Sequence, residues 1–200
     1  MPDEPLIAVF VDFENLAIGA QQSKQGAFRI ELVLKRLLEK GRIVFRRAYC
    51  DWGHYREEAK AFHRHGIEVV DVPATRVSGK NSADIRMVVD AIDLCYAKDH
   101  IDIFALLSGD SDFSPLVSKL KENDKRVIAC GVKASTSDLL ISAADEFIYY
   151  DDLVRRETRP KPAPTRAKKT TKKDEGVDQV MEILRSLDRD YDQVDRKSVV

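Results

Sequence analysis

The stretch Ile103-Phe104-Ala105-Leu106-Leu107-Ser108-Gly109-Asp110-Ser111-Asp112-Phe113 decides how the chain is read. Its apolar half is too short for a helix and ends abruptly in Ser108-Gly109. Two carboxylates follow, with one small residue between them. Phe113, Leu116, Val117 and Leu120 then recur at helical spacing. The reading is a buried strand, a tight turn and a helix start, with Asp110 and Asp112 on the turn. In an open α/β sheet the edge beyond the carboxyl ends of the strands is where ligands bind. Two anions so close repel each other unless a cation or proton compensates, and a hard divalent ion with oxygen ligands is the natural partner. The plainer reading is punctuation, because Asp and Ser are ordinary caps and turn formers. Further carboxylates on the same edge separate the two.

Working outward, Leu6–Val11 is a continuous apolar run, the mark of a strand buried on both faces of a parallel sheet, and it ends in Asp12-Phe13-Glu14-Asn15. Residues 16–27, with Gly19 and Gly26, read as a loop or irregular turn. Ile30, Val33, Leu34, Leu37 and Leu38 give a helical stripe stopped by Gly41. Strands follow at 43–49 and 67–72, with a charged surface helix at 55–65 between them. A slightly basic loop at 74–83 leads into a helix at 84–97. A strand at 127–132, a short helix at 136–144 and a strand at 147–150 close the body. Strands alternating with helices, nearly all of them apolar throughout, predict a three-layer, Rossmann-like α/β fold with a mainly parallel sheet.

The composition agrees. The chain has 200 residues, 44% of them hydrophobic and 34% charged, enough for one domain with an appendage. Three scattered cysteines argue against a secreted disulfide framework. With no signal-like leader and no membrane-length apolar run, the expectation is a cytoplasmic protein without a membrane partner. The net charge of −1 hides an asymmetry: residues 155–173 hold nine Lys/Arg against one acid, a local charge of +8. Prolines at 160, 162 and 164 and a Lys/Thr run mark a linker over 153–176. Beyond it Val177, Val180, Met181, Leu184 and Leu187 form one amphipathic stripe. Such a basic strap suits phosphate groups, whose contacts with Lys and Arg supply affinity without regard to sequence.

Asp12 and the Asp110/Asp112 pair, all at carboxyl ends of strands, share one edge of the sheet. Asp84, at the start of a helix that follows a strand, faces that edge too, although a carboxylate there is also mildly stabilised by the helix dipole. Asp90 is read as supporting or solvated, and Asp93 as surface. Asn15 can hydrogen-bond a ligand or the Asp12 carboxylate. Asp clusters without His or Cys specify oxygen ligation, favouring Mg²⁺ or Mn²⁺ over Zn²⁺. Such an ion polarises a phosphoryl oxygen and generates hydroxide from bound water.

Phe10-Val11-Asp12-Phe13-Glu14-Asn15, Gly79-Lys80-Asn81-Ser82-Ala83-Asp84 with Asp90 downstream, and Leu107–Phe113 together resemble the NYN domain, specifically its LabA-like branch, among the PIN-like nucleases. The resemblance covers residues 5–152. It implies a PIN fold and a metal-dependent endoribonuclease with Mg²⁺ or Mn²⁺. Asp12, Asp84, Asp110 and Asp112 would be the catalytic, metal-binding acids, and Asn15, Ser108 and Lys80 the substrate contacts. The family usually carries Lys-Gly-x-Asp where this chain has Asn81-Ser82-Ala83 before Asp84. RNA is the implied partner, with a homodimer and RNA-processing proteins as candidate associates. Residues 177–200 resemble an incomplete OST-HTH (LOTUS) segment. Two alternatives stand beside the nuclease. One is an RNA-binding adaptor with an inactive acidic site. The other is a phosphatase of the haloacid dehalogenase type, which needs Asp-x-Asp after its first strand where this chain has Asp12-Phe13-Glu14.

Overall fold

The computed structural model describes residues 4–73 and 81–158. Lys80, residues 159–173 of the basic strap and the 177–200 segment lie outside these residues. The first of two units runs to Arg159. It is built on a six-stranded sheet in which every neighbouring pair is parallel. The strands are β1 (Leu6–Asp12), β2 (Arg42–Cys50), β3 (Glu68–Asp71), β4 (Ile103–Leu107), β5 (Arg126–Gly131) and β6 (Glu146–Tyr149), in the spatial order β3-β2-β1-β4-β5-β6. The order reverses between β1 and β4, so a crevice opens past their carboxyl ends.

Side chains alternate across the sheet, and each face has its own core. Ile7, Val9 and Val11 of β1 pack with helices α1 (Phe13–Gln22), α2 (Ile30–Leu38), α3 (Arg56–Arg64) and α7 (Tyr150–Thr158). Ala8 and Phe10 pack on the other face with α4 (Ser82–Ala97), α5 (Ser114–Glu122) and α6 (Asp138–Ala143). Because β1 and β4 are covered on both sides, Ile7–Val11 and Phe104–Leu107 are wholly excluded from solvent. The three-layer α/β architecture is thus as the apolar runs predict, with a sheet that is wholly parallel. Among the described residues no helix is long and apolar enough to cross a membrane, and Cys50, Cys95 and Cys130 are buried free thiols.

Two segments differ from the sequence reading. Residues 13–22 are helix, where residues 16–27 read as a loop. Phe13, Leu16, Ala17 and Ala20 are its buried stripe. Gly19, which looks like a breaker, is there for space: a Cβ on it would stand 2.4 Å from Ser135 Oγ and 3.0 Å from Val132 Cβ. The second difference is α7, which occupies positions 153–158 where a linker was expected. Leu153 is buried and Val154 packs against the same core. The Tyr150 hydroxyl accepts from Arg29 N at 2.9 Å, and Asp151 accepts from Lys133 N at 2.8 Å.

A chain ending at Asp152 therefore lacks the helical turn that holds Tyr150 and Asp151 in place, and loses Leu153 from the core. It should be less stable than a chain ending at Thr158 by about 2–4 kcal/mol, on the scale of other core deletions. Chemical denaturation of the two shortened proteins measures the difference; equal midpoints would show that α7 contributes nothing to the body.

Candidate active site

Asp12 ends β1 and Ser108 follows β4. Since Val11 pairs with Leu107 across these parallel strands, the next residue on each side stands abreast of the other. The Ser108 hydroxyl, fully buried, donates to Asp12 Oδ2 at 2.8 Å and accepts from Asp110 N at 3.2 Å. One hydroxyl thereby ties the first acidic residue to the turn that carries the next two. Asp12 is also the N-cap of α1, its Oδ1 accepting from Asn15 N at 3.3 Å. Asn15 returns the contact: its Oδ1 accepts from Gly109 N at 3.0 Å. Asp110 caps the short 3₁₀ turn 111–113, with Oδ1 accepting from Asp112 N at 3.0 Å. The plain capping role of Asp12 and Asp110 is therefore real, and it leaves an oxygen of each carboxylate outside the cap itself.

The turn is held from above. The backbone of Ser137 donates to Gly109 O at 2.9 Å. A Cβ on Gly109 would lie 2.3 Å from Ser135 O, and one on Gly131 would lie 2.6 Å from Thr136 Oγ1. The segment 132–137 thus rests on Gly19, Gly109 and Gly131 at once. The sequence reading missed this segment, because only the tertiary approach shows why three distant glycines matter. It also gave no role to Glu14, whose charge reaches Asp84; its position two residues after Asp12, in the first turn of α1, was the available signal.

Electrostatics show which acids converge. Burial pushes the Asp12 carboxyl up to about 7 against the pull of its Ser108 hydrogen bond, and the charges of Asp84 and Asp110 add to the rise. Asp84, half-buried in the first turn of α4, is pushed up to about 6 by burial and then by Asp110, Asp112 and Glu14. Asp12, Asp84 and Asp110 therefore share one field, with Asp112 exposed at its rim. Among the described residues no three His, Cys, Asp or Glu side chains stand close enough to cage an ion directly. The donor set, carboxylates with an amide and a hydroxyl, fits a hydrated Mg²⁺ or Mn²⁺ that keeps several waters and takes few protein ligands.

Two other acids have different duties. Asp90 accepts from Arg47 Nη1 and Tyr49 Oη, each at 2.8 Å, and from Arg86 Nε at 3.0 Å. Burial opposes its charge, but the Tyr49 and Arg47 hydrogen bonds prevail and keep its carboxyl below the ordinary value. It is a clasp between α4 and β2, six residues from Asp84, and is not solvated. Asp93 is exposed, as expected. His54 is exposed and stands 4.0 Å from Asp51.

A family model described as the NYN domain matches residues 6–151. An uncharacterised protein of the archaeon Methanocaldococcus jannaschii is 29% identical over 145 residues, a match covering 72% of this chain and 55% of that protein. The chain thus spans little more than half the length of this curated relative. The crystal structure of a Vibrio parahaemolyticus protein of unknown function superposes with a TM-score of 0.67 at 27% identity, covering 76% of this chain and 97% of that one.

A carboxyl raised above its unfolded value stabilises the folded chain while protonated. For Asp12 that contribution is complete below the ordinary 3.8 and is lost as pH rises through about 7. In EDTA, wild-type protein should lose stability between about pH 4 and pH 7, and Asp12→Asn should lose less, the gap reaching on the order of 2–4 kcal/mol. Paired denaturation curves across that range measure it. Parallel pH profiles would show that Asp12 ionises as freely in the fold as out of it.

Proposed function

Since the chain belongs to the NYN domain family of PIN-like nucleases, we propose that it is a metal-dependent endoribonuclease acting at the Asp12–Asp84–Asp110–Asp112 edge. The observation that carries the reading is the gathering of acids at one edge: Ser108 ties Asp12 to the turn that carries Asp110 and Asp112, and the Asp110 charge adds to burial in raising both Asp12 and Asp84. Like charges gathered at a sheet's switch point, on a structure that holds them there through Ser108, are destabilising in isolation. A cation and a phosphodiester together give them a use. We assign the chain to the LabA-like branch on its three motifs, and to the cytoplasm on its buried free thiols.

Asp12, Asp84 and Asp110 are the residues we assign to an Mg²⁺ or Mn²⁺ ion, with Asp112 reaching it from the rim. Such an ion, when bound, would polarise the scissile phosphoryl group and make water a better nucleophile. The chain's own part is positioning. Ser108 fixes the orientation of the Asp12 carboxylate, and Asp12 in turn caps the helix that presents Asn15. The Asn15 amide nitrogen, which takes no part in the turn, is the donor assigned to a phosphate oxygen. Carboxylates of the cluster accept the proton that the attacking water gives up. Lys80 and the basic strap are proposed to meet the RNA backbone away from the bond that breaks.

Asp110→Asn tests the reading. The amide keeps the shape of the cap and removes one charge, so the metal-free protein should be as stable as wild type or more so. RNA cleavage in Mn²⁺ should fall by about 100-fold or more, as a neutral amide is a poor ligand for a hard cation. RNA binding in EDTA should persist, and Asp93→Asn should match wild type throughout. Undiminished cleavage by Asp110→Asn would remove the nuclease site from this edge. Binding without cleavage, in wild type as well as the variant, would identify an RNA-binding adaptor.

A further inference from the structure

The α4 helix carries one acid of the edge, Asp84, in its first turn. Its N-cap, Asn81, makes no side-chain cap bond. The residues that α4 buries against the sheet are Met87, Ala91 and Cys95. Two of these are small, and the third is a flexible thioether that adapts to its surroundings. Apolar contact of this kind sets how close a helix lies, but it is non-directional and resists sliding or turning only weakly.

Asp90 supplies the direction. Its side chain is 9% exposed and gathers donors from two elements. Oδ2 accepts from Arg47 Nη1 and Tyr49 Oη at 2.8 Å each, and Oδ1 accepts from Arg86 Nε at 3.0 Å. Both β2 donors are themselves fixed. The Arg47 guanidinium donates to Glu68 through Nε and Nη2 and stands 5.0 Å over the Phe45 ring. Tyr49 is 1% exposed, stacks on Phe10, and is the residue paired with Asp12 across β1 and β2. The bond from Tyr49 therefore reaches α4 from the strand position abreast of Asp12. Asp84 lies six residues before Asp90, about 9 Å along the helix.

A buried ion pair is a weak source of stability, because apolar side chains of the same volume often serve as well, and its best-attested use is to fix register. Here the register concerns two acids on separate elements. Asp12 belongs to β1 and Asp84 to α4, and Tyr49 with Asp90 connects them inside the body. A small hard cation such as Mg²⁺ demands near-ideal geometry from its ligands, so a slight slide of α4 weakens the site without unfolding the chain. We propose that Asp90 is a positioning residue: through Tyr49 and Arg47 it holds α4 in the register that brings Asp84 to the metal-binding edge. The inference rests on the metal reading of that edge and adds to it a residue that touches neither metal nor RNA.

The test is calorimetric titration of the full-length protein with Mn²⁺ alone, each variant being measured well below its own melting temperature. Asp90→Asn turns one acceptor into a donor facing other donors. It should weaken Mn²⁺ binding by about tenfold, the low end of what supporting partners of a metal site are worth. Tyr49→Phe removes one bond of the clasp and no charge, so it should weaken binding too, by a smaller factor. Two further variants separate position from charge. Glu68→Gln takes a carboxylate from the same Arg47, and Asp93→Asn takes one from the same helix; both should bind Mn²⁺ as wild type does. Unchanged affinity in Asp90→Asn and Tyr49→Phe would make the clasp a purely structural pair and leave the metal reading standing. If Glu68→Gln and Asp93→Asn weakened binding as much as Asp90→Asn, long-range charge would account for the loss and the positioning role would fall. Wild-type protein that takes up no Mn²⁺ would overturn the metal reading itself, and this inference with it.

Discussion

One buried hydroxyl fixes the relation between the two central strands at the place where chemistry is expected. Ser108 Oγ spends its proton on Asp12 and its lone pair on the Asp110 amide. The carboxyl ends of β1 and β4 are thereby locked in register beyond the last ladder bond. Everything at the edge inherits its geometry from that bridge: the cap of α1, the position of Asn15, and the turn that presents Asp110 and Asp112. A threonine could make the same bonds only if the site had room for a methyl group. An alanine would leave the Asp12 carboxylate buried and less well bonded, a costly arrangement in so dry a place.

Much of this was legible in the sequence. Apolar runs ending in Asp identify strands buried on both faces, and in a parallel sheet the ends of such strands must meet at one edge. That logic placed Asp12, Asp84, Asp110 and Asp112 together without any contact being known. It failed where local signals and tertiary needs diverge. Gly19 reads as a break in periodicity, but it sits within a helix that approaches the 132–137 segment too closely for a side chain. Tyr149-Tyr150-Asp151 reads as the end of a strand before a charged tail, and next to the prolines a lone Leu153 carries no helical period of its own. Asp90 reads as supporting or solvated, with no means to choose, because its partners, Arg47 and Tyr49, lie more than forty residues earlier.

The electrostatic character of the body follows from the same arrangement. Among the described residues, the acids gathered at the switch point are held by neutral donors, a hydroxyl and backbone amides, and not by Arg or Lys. By contrast Asp90, only six residues along α4, is satisfied by two guanidinium groups and a phenol. The two carboxylates of one helix thus have opposite fates. The clasped one is kept charged and holds α4 against the sheet. The other, Asp84, has no such clasp among the described residues, and burial with the nearby acids pushes its carboxyl up. The basic residues that an RNA strand would also require are concentrated elsewhere, in residues 155–173.

The seating of 132–137 on Gly19, Gly109 and Gly131 bears on how such a chain can vary. These three positions lie on α1, on the turn after β4 and at the end of β5, far apart along the polypeptide. They nevertheless press against one short segment, and a methyl group at any of them meets its atoms at 2.3–2.6 Å. At Gly109 the added methyl meets backbone, and at Gly19 and Gly131 it meets the Ser135 and Thr136 hydroxyls, which would have to move. A descendant that acquired a side chain at one would have to reshape the segment, and a reshaped segment would alter what the other two glycines touch. The three glycines and the segment above them can drift only as a group, so the rim of the acidic edge is expected to change in steps and not by gradual substitution.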